Sequence, residues 1–438
     1  MTTTAENTSR RGQSTRAVMA SWVGTTVEYY DFTIYGLASS VIFGQLFFPT
    51  DDAFIGTLLS FATFAIGFIA RPLGAVVFGH FGDRLGRKAV LIATLVLMGA
   101  STFAIGLLPT YHQVGVLAPI LLVTARLAQG FSVGGEYGGA VLLAVEHSEQ
   151  KERGFRGSLI NTGTSAGLLL ANLVFLAVLQ LPDDQLMSWG WRMPFLLSAL
   201  LILVGLFIRY RLDESPDFKD VREHGAAQRL PVVDVFRECG GRVALTAVGI
   251  LGAGVTFTLT TVYSLQYGEA VLGLDRGVMV SVLLPATVVI LVCIPLAGKL
   301  ADRFSTRKVF LAGAMSMAVL PFVWLSLLET HQYWLMLLGF ALLFVGYSAN
   351  YAAVPALFSE VFPPQLRYTG LSIGFTLGLI IGNAIAPVMA TSLHEATGSW
   401  VAIALYMAGV SLLSVFAGYF LKVHQKPRAE VEAAEAQG

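Results

Sequence analysis

Long apolar runs constrain this sequence more than any other feature it has. A helix that crosses a bilayer needs about 20 mostly apolar residues. Twelve such stretches can be marked out. The first six lie at about 20–46, 54–79, 89–108, 114–145, 156–181 and 190–210. After a polar segment, six more follow at about 242–268, 278–299, 308–328, 333–358, 367–393 and 399–422. Lipid leaves an open sheet edge unsatisfied, so the spans are helices. Their apolar residues are continuous rather than alternating, which excludes a barrel. Only 13% of the residues are charged, against roughly 25% in a soluble domain. The mean hydropathy is +0.69. The sequence therefore predicts an all-α integral membrane protein of twelve transmembrane helices.

Charge orients the spans. Basic residues gather in cytoplasmic loops. With both termini in the cytoplasm, all but four of the 28 Lys and Arg fall on the cytoplasmic side or in the tails. Arg192 and Arg276 fall outside, and Arg71 and Arg126 fall within spans. Asp51, Asp52, Asp183 and Asp184 occupy outer loops instead. Shifting the count by one helix inverts this pattern. The expected organisation is a cytoplasmic tail at 1–19, a six-helix bundle at 20–210 and a cytoplasmic linker at 211–241. A second six-helix bundle at 242–422 and a tail at 423–438 complete it. The first apolar stretch is longer than the roughly 7–15 residues of a signal-peptide core and carries two carboxylates, so it reads as a retained span. Net charge is zero, which offers no basic surface for nucleic acid. Cys239 and Cys293 are too few for a disulfide framework.

The halves repeat. Gly79-His80-Phe81-Gly82-Asp83-Arg84-Leu85-Gly86-Arg87-Lys88 follows span two. Gly298-Lys299-Leu300-Ala301-Asp302-Arg303-Phe304-Ser305-Thr306-Arg307-Lys308 follows span eight. Glu146 and Arg153 follow span four, and Glu360 and Arg367 follow span ten at the same spacing. The offsets, 219 between Asp83 and Asp302 and 214 between Glu146 and Glu360, are nearly one period. Duplicated bundles related by an axis along the membrane normal follow.

The loop Gly79 to Lys88 resembles the signature between helices two and three of the major facilitator superfamily. Val27-Glu28-Tyr29-Tyr30-Asp31-Phe32, Gly67-Phe68-Ile69-Ala70-Arg71-Pro72, Arg126-Leu127-Ala128-Gln129-Gly130, Gly134-Gly135-Glu136-Tyr137-Gly138-Gly139 and Trp189-Gly190-Trp191-Arg192-Met193-Pro194-Phe195 narrow the resemblance. Together they are similar to the metabolite:proton symporter family, whose members carry shikimate, 2-oxoglutarate, citrate, and proline or betaine. Val76 to Lys88 and Ala118 to Ala140 are most similar to its shikimate carriers. The resemblance covers nearly the whole chain. It implies a secondary active transporter of the bacterial inner membrane working by alternating access. The second signature loop departs from the pattern, since Ser305-Thr306 stands where the first copy has Gly86.

Five charged residues fall inside spans: Glu28, Asp31, Arg71, Arg126 and Glu136, all in the first half. Each costs about 2.5–3.5 kcal/mol at the bilayer centre, so five alone would cost more than about 12 kcal/mol. They must face one another or water. Glu28 and Asp31 share a helix face. Arg126, Gln129, Val133, Glu136 and Tyr137 follow one stripe of span four. In the family's fold, helices one and four line the cavity. Fixed ion pairs holding the bundle together are the plainer reading, but the second half folds in the same lipid without such charges. A carboxylate that alternates between a lone and an Arg-paired state can take up and release a proton. Glu28, Asp31 and Glu136 are the candidate proton carriers. Arg71 and Arg126 can offer bidentate hydrogen bonds to a substrate carboxylate.

The second half is expected to orient the substrate through Tyr263 and Gln266 on span seven, Asn350 and Tyr351 on span ten and Asn383 on span eleven. Gln129 and Tyr137 complete the set; Asn161 and Asn172 are weaker candidates. The resemblance implies a cytoplasmic gate in which Asp83 meets the start of span eleven, where Arg367 sits. Arg84, Arg87, Lys88, Glu146, Arg153, Asp302, Arg303 and Glu360 are its other expected members. Glycines along spans four and eleven allow close backbone approach. Pro285, Pro295 and Pro321 are expected kinks.

An intramembrane enzyme lacks support, because neither His-Glu-x-x-His nor Gly-x-Ser-x-Gly occurs and the seven histidines are scattered. No phosphate-binding loop is present for an ATP-driven pump. A sensor would need an output domain that the short tails do not offer. The expected function is proton-coupled symport of a small organic acid by a monomer in lipid, without cofactor, metal or nucleic acid. The runner-up is an osmoprotectant carrier for betaine or proline. Such members often end in a long coiled coil, and this chain ends about 16 residues after span twelve.

Overall fold

The computed structural model describes residues 2–50, 53–215, 218 and 231–423. Among the described residues there are helices and connections but no strand. The first six long helices are α1 (Thr2–Val41), α2 (Ala53–Leu85), α3 (Arg87–Leu107), α4 (Leu117–Glu146), α5 (Arg153–Val178) and α6 (Met193–Tyr210). The next is α7 (Pro231–Thr258), which runs through a π turn at Leu259–Tyr263 into Ser264–Ala270. Then come α8 (Arg276–Arg303), α9 (Thr306–Leu328), α10 (Tyr333–Ser359), α11 (Arg367–Thr397) and α12 (Trp400–Phe420).

Eleven of these are long and apolar enough to cross a membrane, and α1 is the twelfth. Its carboxylates, hydroxyls and tyrosines depress its hydropathy, and several of them build the site described below. Two helix starts lie well ahead of the expected ones. Helix α1 starts at Thr2, so the polar residues before 20 continue into the first span. Nothing between Thr2 and Val41 stops a helix, since there is no proline and the glycines are isolated. Helix α7 starts at Pro231, ahead of the apolar run, because proline suits a first helical turn. Residues 216–217 and 219–230 of the expected linker, and 424–438 of the expected tail, lie outside the described residues.

Helices α1–α6 pack mainly through α2 on α4, α1 on α5, α3 on α4 and α3 on α6. Helices α7–α12 pack through α9 on α10, α7 on α11, α8 on α10 and α9 on α12. Between the bundles the main contacts are α5 with α8 and α2 with α11. Each joins the second helix of one half to the fifth of the other, so the sequence repeat returns as one interface seen twice. Close approach makes α2 and α4 a unit. A Cβ on Gly130 would stand 2.0 Å from the Gly67 carbonyl oxygen, and one on Gly74 only 1.7 Å from that of Phe131. Gly86, at φ 110°, turns the chain from α2 into α3. Ser305 holds the same junction of the second half in extended backbone.

Candidate functional site

Four of the five mid-span charges converge inside the first bundle. Glu28 and Asp31 of α1, Arg71 of α2 and Arg126 and Gln129 of α4 line one cavity, with Phe32, Met98 and Val133 as its apolar wall. It holds about 10 Å³, room for about one water molecule. Asp31 is 1% exposed. Its Oδ2 accepts from the Thr102 hydroxyl at 2.6 Å, and its Oδ1 has no protein partner. The Thr102 oxygen accepts from Gln129 Nε2 at 2.7 Å, and Gln129 Oε1 accepts from Arg126. A relay of hydrogen bonds therefore joins the Asp31 carboxylate to the Arg126 guanidinium. Arg126 also lies 3.9 Å above the Tyr35 ring, where the face of the ring attracts a cation. Arg71 sits 4.5 Å over Phe68 and 5.6 Å over Phe32.

A second cavity of about 20 Å³ lies between the bundles. Glu28, Arg71 and Val133 form part of both. Tyr29 and Tyr137 join them from the first bundle, and Phe375, Thr376 and Leu379 from α11. The rings of Tyr137 and Phe375 stack across the bundle boundary, centroids 3.6 Å apart and 9° from parallel. The Tyr137 hydroxyl donates to Asn161 Oδ1 at 3.2 Å, while Asn161 Nδ2 donates to the Tyr351 carbonyl at 2.7 Å. Tyr351 in turn stacks on Tyr347.

Glu136 does not belong to this cluster. It pairs with Arg209 of α6 and accepts from the Thr94 hydroxyl at 2.5 Å, with every partner buried. Neither cavity includes it among its lining residues. A buried carboxylate held by a guanidinium and a hydroxyl ties α4 to α6 and α3. Glu136, an expected proton carrier, lies off the cavity that Arg126, Gln129 and Val133 of its own stripe line, because its side chain turns to α3 and α6. Arg209, counted among the cytoplasmic basic residues, is 1% exposed and supplies the missing charge.

The second half contributes less than expected. Gln266 is exposed. Tyr263 sits beside Tyr267 toward the C-terminal end of α7, where Tyr267 donates to Glu329 at 2.7 Å. Asn350 is fully buried but points at α9, its Nδ2 donating to the Phe310 carbonyl at 3.1 Å. Asn383 lies against Gly254 of α7. A polar residue inside an apolar span can turn to a neighbouring helix as readily as to a cavity, and these have done so. Only Tyr351 of this set comes near the inter-bundle site. Phe375 carries no sequence signal that separates it from core, whereas Tyr29 adjoins Glu28 in the Val27 to Phe32 segment.

Toward the face of the basic loops the bundles are locked together. Asp83 accepts from the backbone N–H groups of Tyr368 and Thr369 at 3.2 and 2.9 Å and from the Thr369 hydroxyl at 2.8 Å. It therefore caps the first turn of α11, where carboxylates are favoured. Asp302 repeats this on α5, accepting from Gly154 and Phe155 at 2.7 and 2.8 Å. The duplicated Glu and Arg exchange partners between halves. Glu146 pairs with Arg367 at 3.1 Å, and Glu360 with Arg153 at 3.8 Å. Burial pushes the Glu360 carboxyl above its ordinary value, against the pull of Arg153 and Arg367. Arg87, 1% exposed, lies 3.6 Å from both Asp83 and Glu146 and donates to the Pro364 carbonyl at 3.0 Å. Lys88 instead holds the end of α6 through the carbonyls of Tyr210 and Leu212. Arg84 and Arg303 are exposed and stand outside these bonds. Among the described residues, the hydrogen bonds between bundles lie at mid-depth or toward this face.

Two six-helix bundles in lipid, facing each other across a small polar cavity and locked at one face, define a polytopic helical carrier. Residues 16–229 of the chain match the family "Sugar (and other) transporter", and residues 286–437 match "Major Facilitator Superfamily". The chain is 35% identical to the shikimate transporter of Escherichia coli (strain K12), over 96% of this chain and 97% of that one. It is 40% identical to the inner membrane metabolite transport protein YhjE of the same organism, over 92% of each. It is 37% identical to a putative proline/betaine transporter of Staphylococcus aureus (strain COL), over 93% of this chain and 88% of that one. The fold superposes on the proton:xylose symporter XylE bound to 6-bromo-6-deoxy-D-glucose with TM-score 0.76 at 18% identity, covering 97% and 99% of the two chains. The chain belongs to the major facilitator superfamily. It is a multi-pass transporter of metabolites in the bacterial inner membrane, and not an enzyme.

Proposed function

We propose that this carrier is a proton-coupled symporter of a small organic acid, a shikimate-like hydroxy acid or a related mono- or dicarboxylate. The observation that carries the reading is the grouping of Glu28, Asp31, Arg71, Arg126 and Gln129 on one cavity at mid-depth. Arginine forks match a carboxylate bidentately. A substrate anion on Arg71 competes with Glu28 for its field, and one that draws on Arg126 loosens the relay to Asp31. Either carboxylate then becomes easier to protonate, so substrate and proton bind together. Release of both on the other side restores the pairing. Each net positive charge moved inward gains about 2.3 kcal/mol per 100 mV, so protons in excess of the substrate's negative charge are driven by the potential.

The locked face is the cytoplasmic one in this reading, with both termini inside, and the unit is a monomer. Asp83, Asp302 and the exchanged Glu–Arg pairs form the inner gate. The Arg153–Glu360 pair is partly exposed, and such pairs are worth only about 0–1 kcal/mol; Asp83 and Glu146 are buried, so opening the gate must rehydrate them. The shikimate transporter relative supports an organic acid. The proline/betaine relative supports the second reading, in which Glu28 faces a substrate cation.

Uptake into proteoliposomes under an imposed pH gradient tests the proposal. Asp31→Asn or Glu28→Gln is expected to abolish accumulation while leaving exchange of substrate for substrate. If both variants still concentrate substrate against its gradient, proton coupling through this cavity is wrong.

A further inference from the structure

We infer that the Tyr137–Phe375 pair is an aromatic platform that selects a ring-bearing carboxylate over an open-chain one. The inference rests on the organic-acid reading above and names the substrate class of the same site.

The two rings lie on the wall of the inter-bundle cavity, beside Arg71 and Glu28. They come from opposite bundles, on α4 and α11, and they stack nearly parallel at 3.6 Å. The lining of this cavity therefore offers a cation, Arg71, and two rings that cover each other's faces. Tyr29, Tyr137 and Thr376 also line it, the Tyr137 hydroxyl donating to Asn161 and that of Thr376 to the Gly134 carbonyl. A rigid ring lays its C–H groups flat on an aromatic face with little ordering cost, whereas a flexible chain must be fixed to cover the same area. A cyclic acid offers each wall its match: its carboxylate to Arg71, its ring to the platform, its hydroxyls to the tyrosines. An open-chain acid fills only the first of these and must also be ordered on binding.

The space argues the same way. At about 20 Å³ the cavity admits no organic molecule. A substrate must part the surrounding side chains, and the stacked rings are the contact that joins the bundles at its wall. A substrate ring that slides onto Phe375 or Tyr137 replaces the lost stacking. A linear chain leaves the ring faces uncovered.

Calorimetric titration of the purified full chain tests this, with shikimate as the ring acid, 2-oxoglutarate as the open-chain acid and glycine betaine as a third probe. The wild type is expected to bind the ring acid about tenfold tighter than the open-chain acid. Phe375→Ala is expected to weaken the ring acid about tenfold while moving the open-chain acid by less than about threefold. Phe375→Tyr is expected to restore the preference. Loss of the bundle-to-bundle stack alone would shift both acids equally, so the ratio of the two affinities separates recognition from packing. Melting curves of each variant check that it folds. The platform is overturned if Phe375→Ala leaves the ratio unchanged, or if the wild type binds both acids equally. Binding of betaine with neither acid overturns the organic-acid reading itself. Acid binding that fails with Arg71→Lys yet ignores Phe375 overturns only the platform.

Discussion

Glu28 and Asp31 stand three residues apart on one helix, yet their surroundings differ. Asp31 is enclosed by Thr102 and reached by Arg126 through Gln129. Glu28 looks into both cavities beside Arg71. Substitution should separate them. Thr102→Val removes a donor to Asp31 and the acceptor for Gln129, so transport should shift its pH dependence with little loss of folding, read from uptake rate against external pH. Arg71→Lys keeps the charge but loses the planar fork. Hydrogen bonds to charged groups are worth about 1.5–3 kcal/mol, so substrate affinity should fall about 10- to 100-fold in equilibrium binding. Affinity within threefold of wild type would remove Arg71 from the carboxylate site.

Elements are joined by two kinds of device in the first bundle. One is the Glu136–Arg209 pair, which binds α4 to α6 with Thr94 of α3. Breaking a buried pair from one side leaves a lone charge and costs about 3–5 kcal/mol. Arg209→Met alone should therefore lower the unfolding midpoint in detergent sharply. Replacing both, with Glu136→Leu added, should recover most of the loss, because matched apolar residues are often no worse than a buried ion pair. A double variant as unstable as the single one would mean that the pair does more than hold helices. The other device is backbone approach at Gly74 and Gly130. Gly130→Ala puts a methyl on the Gly67 carbonyl and should separate α2 from α4, distorting the cavity that both helices line. Loss of substrate binding in a variant that still inserts and purifies would be the sign.

The whole molecule is organised by its duplication. Asp83 caps α11 and Asp302 caps α5, so each half holds the fifth helix of the other. The two copies are unequal. Asp83 is 1% exposed and has Arg87 at 3.6 Å, whereas Asp302 is half-buried and Arg307 donates instead to the Leu421 carbonyl at the end of α12. Asp83→Asn should release the locked face more than Asp302→Asn does. Spin-label distances between the bundles at this face should lengthen, with the open population rising about tenfold for a change near 1.4 kcal/mol. Exchanging charges in Arg153→Glu with Glu360→Arg, a partly exposed pair, should restore part of the closure that either substitution loses alone. If neither single change lengthens the distances, this face is held by packing rather than by these bonds.

Hydropathy, loop charge and an internal repeat were enough to derive twelve helices in two bundles, because lipid leaves a chain few ways to satisfy its backbone. The cost of charge in lipid likewise singled out Glu28, Asp31, Arg71 and Arg126, which line one cavity, together with Glu136, which does not. Rotation about each helix axis was not legible. A few tens of degrees decide whether Glu136 meets the cavity or Arg209, and whether Asn350 meets substrate or the Phe310 carbonyl. Packing against neighbours sets that rotation, and an apolar span looks nearly the same from every side. The exchange of Glu146 and Glu360 between halves was hidden for a related reason. Equal spacing in two loops fits pairing within a half as well as across them, and only the docking of α5 on α8 and α2 on α11 chooses.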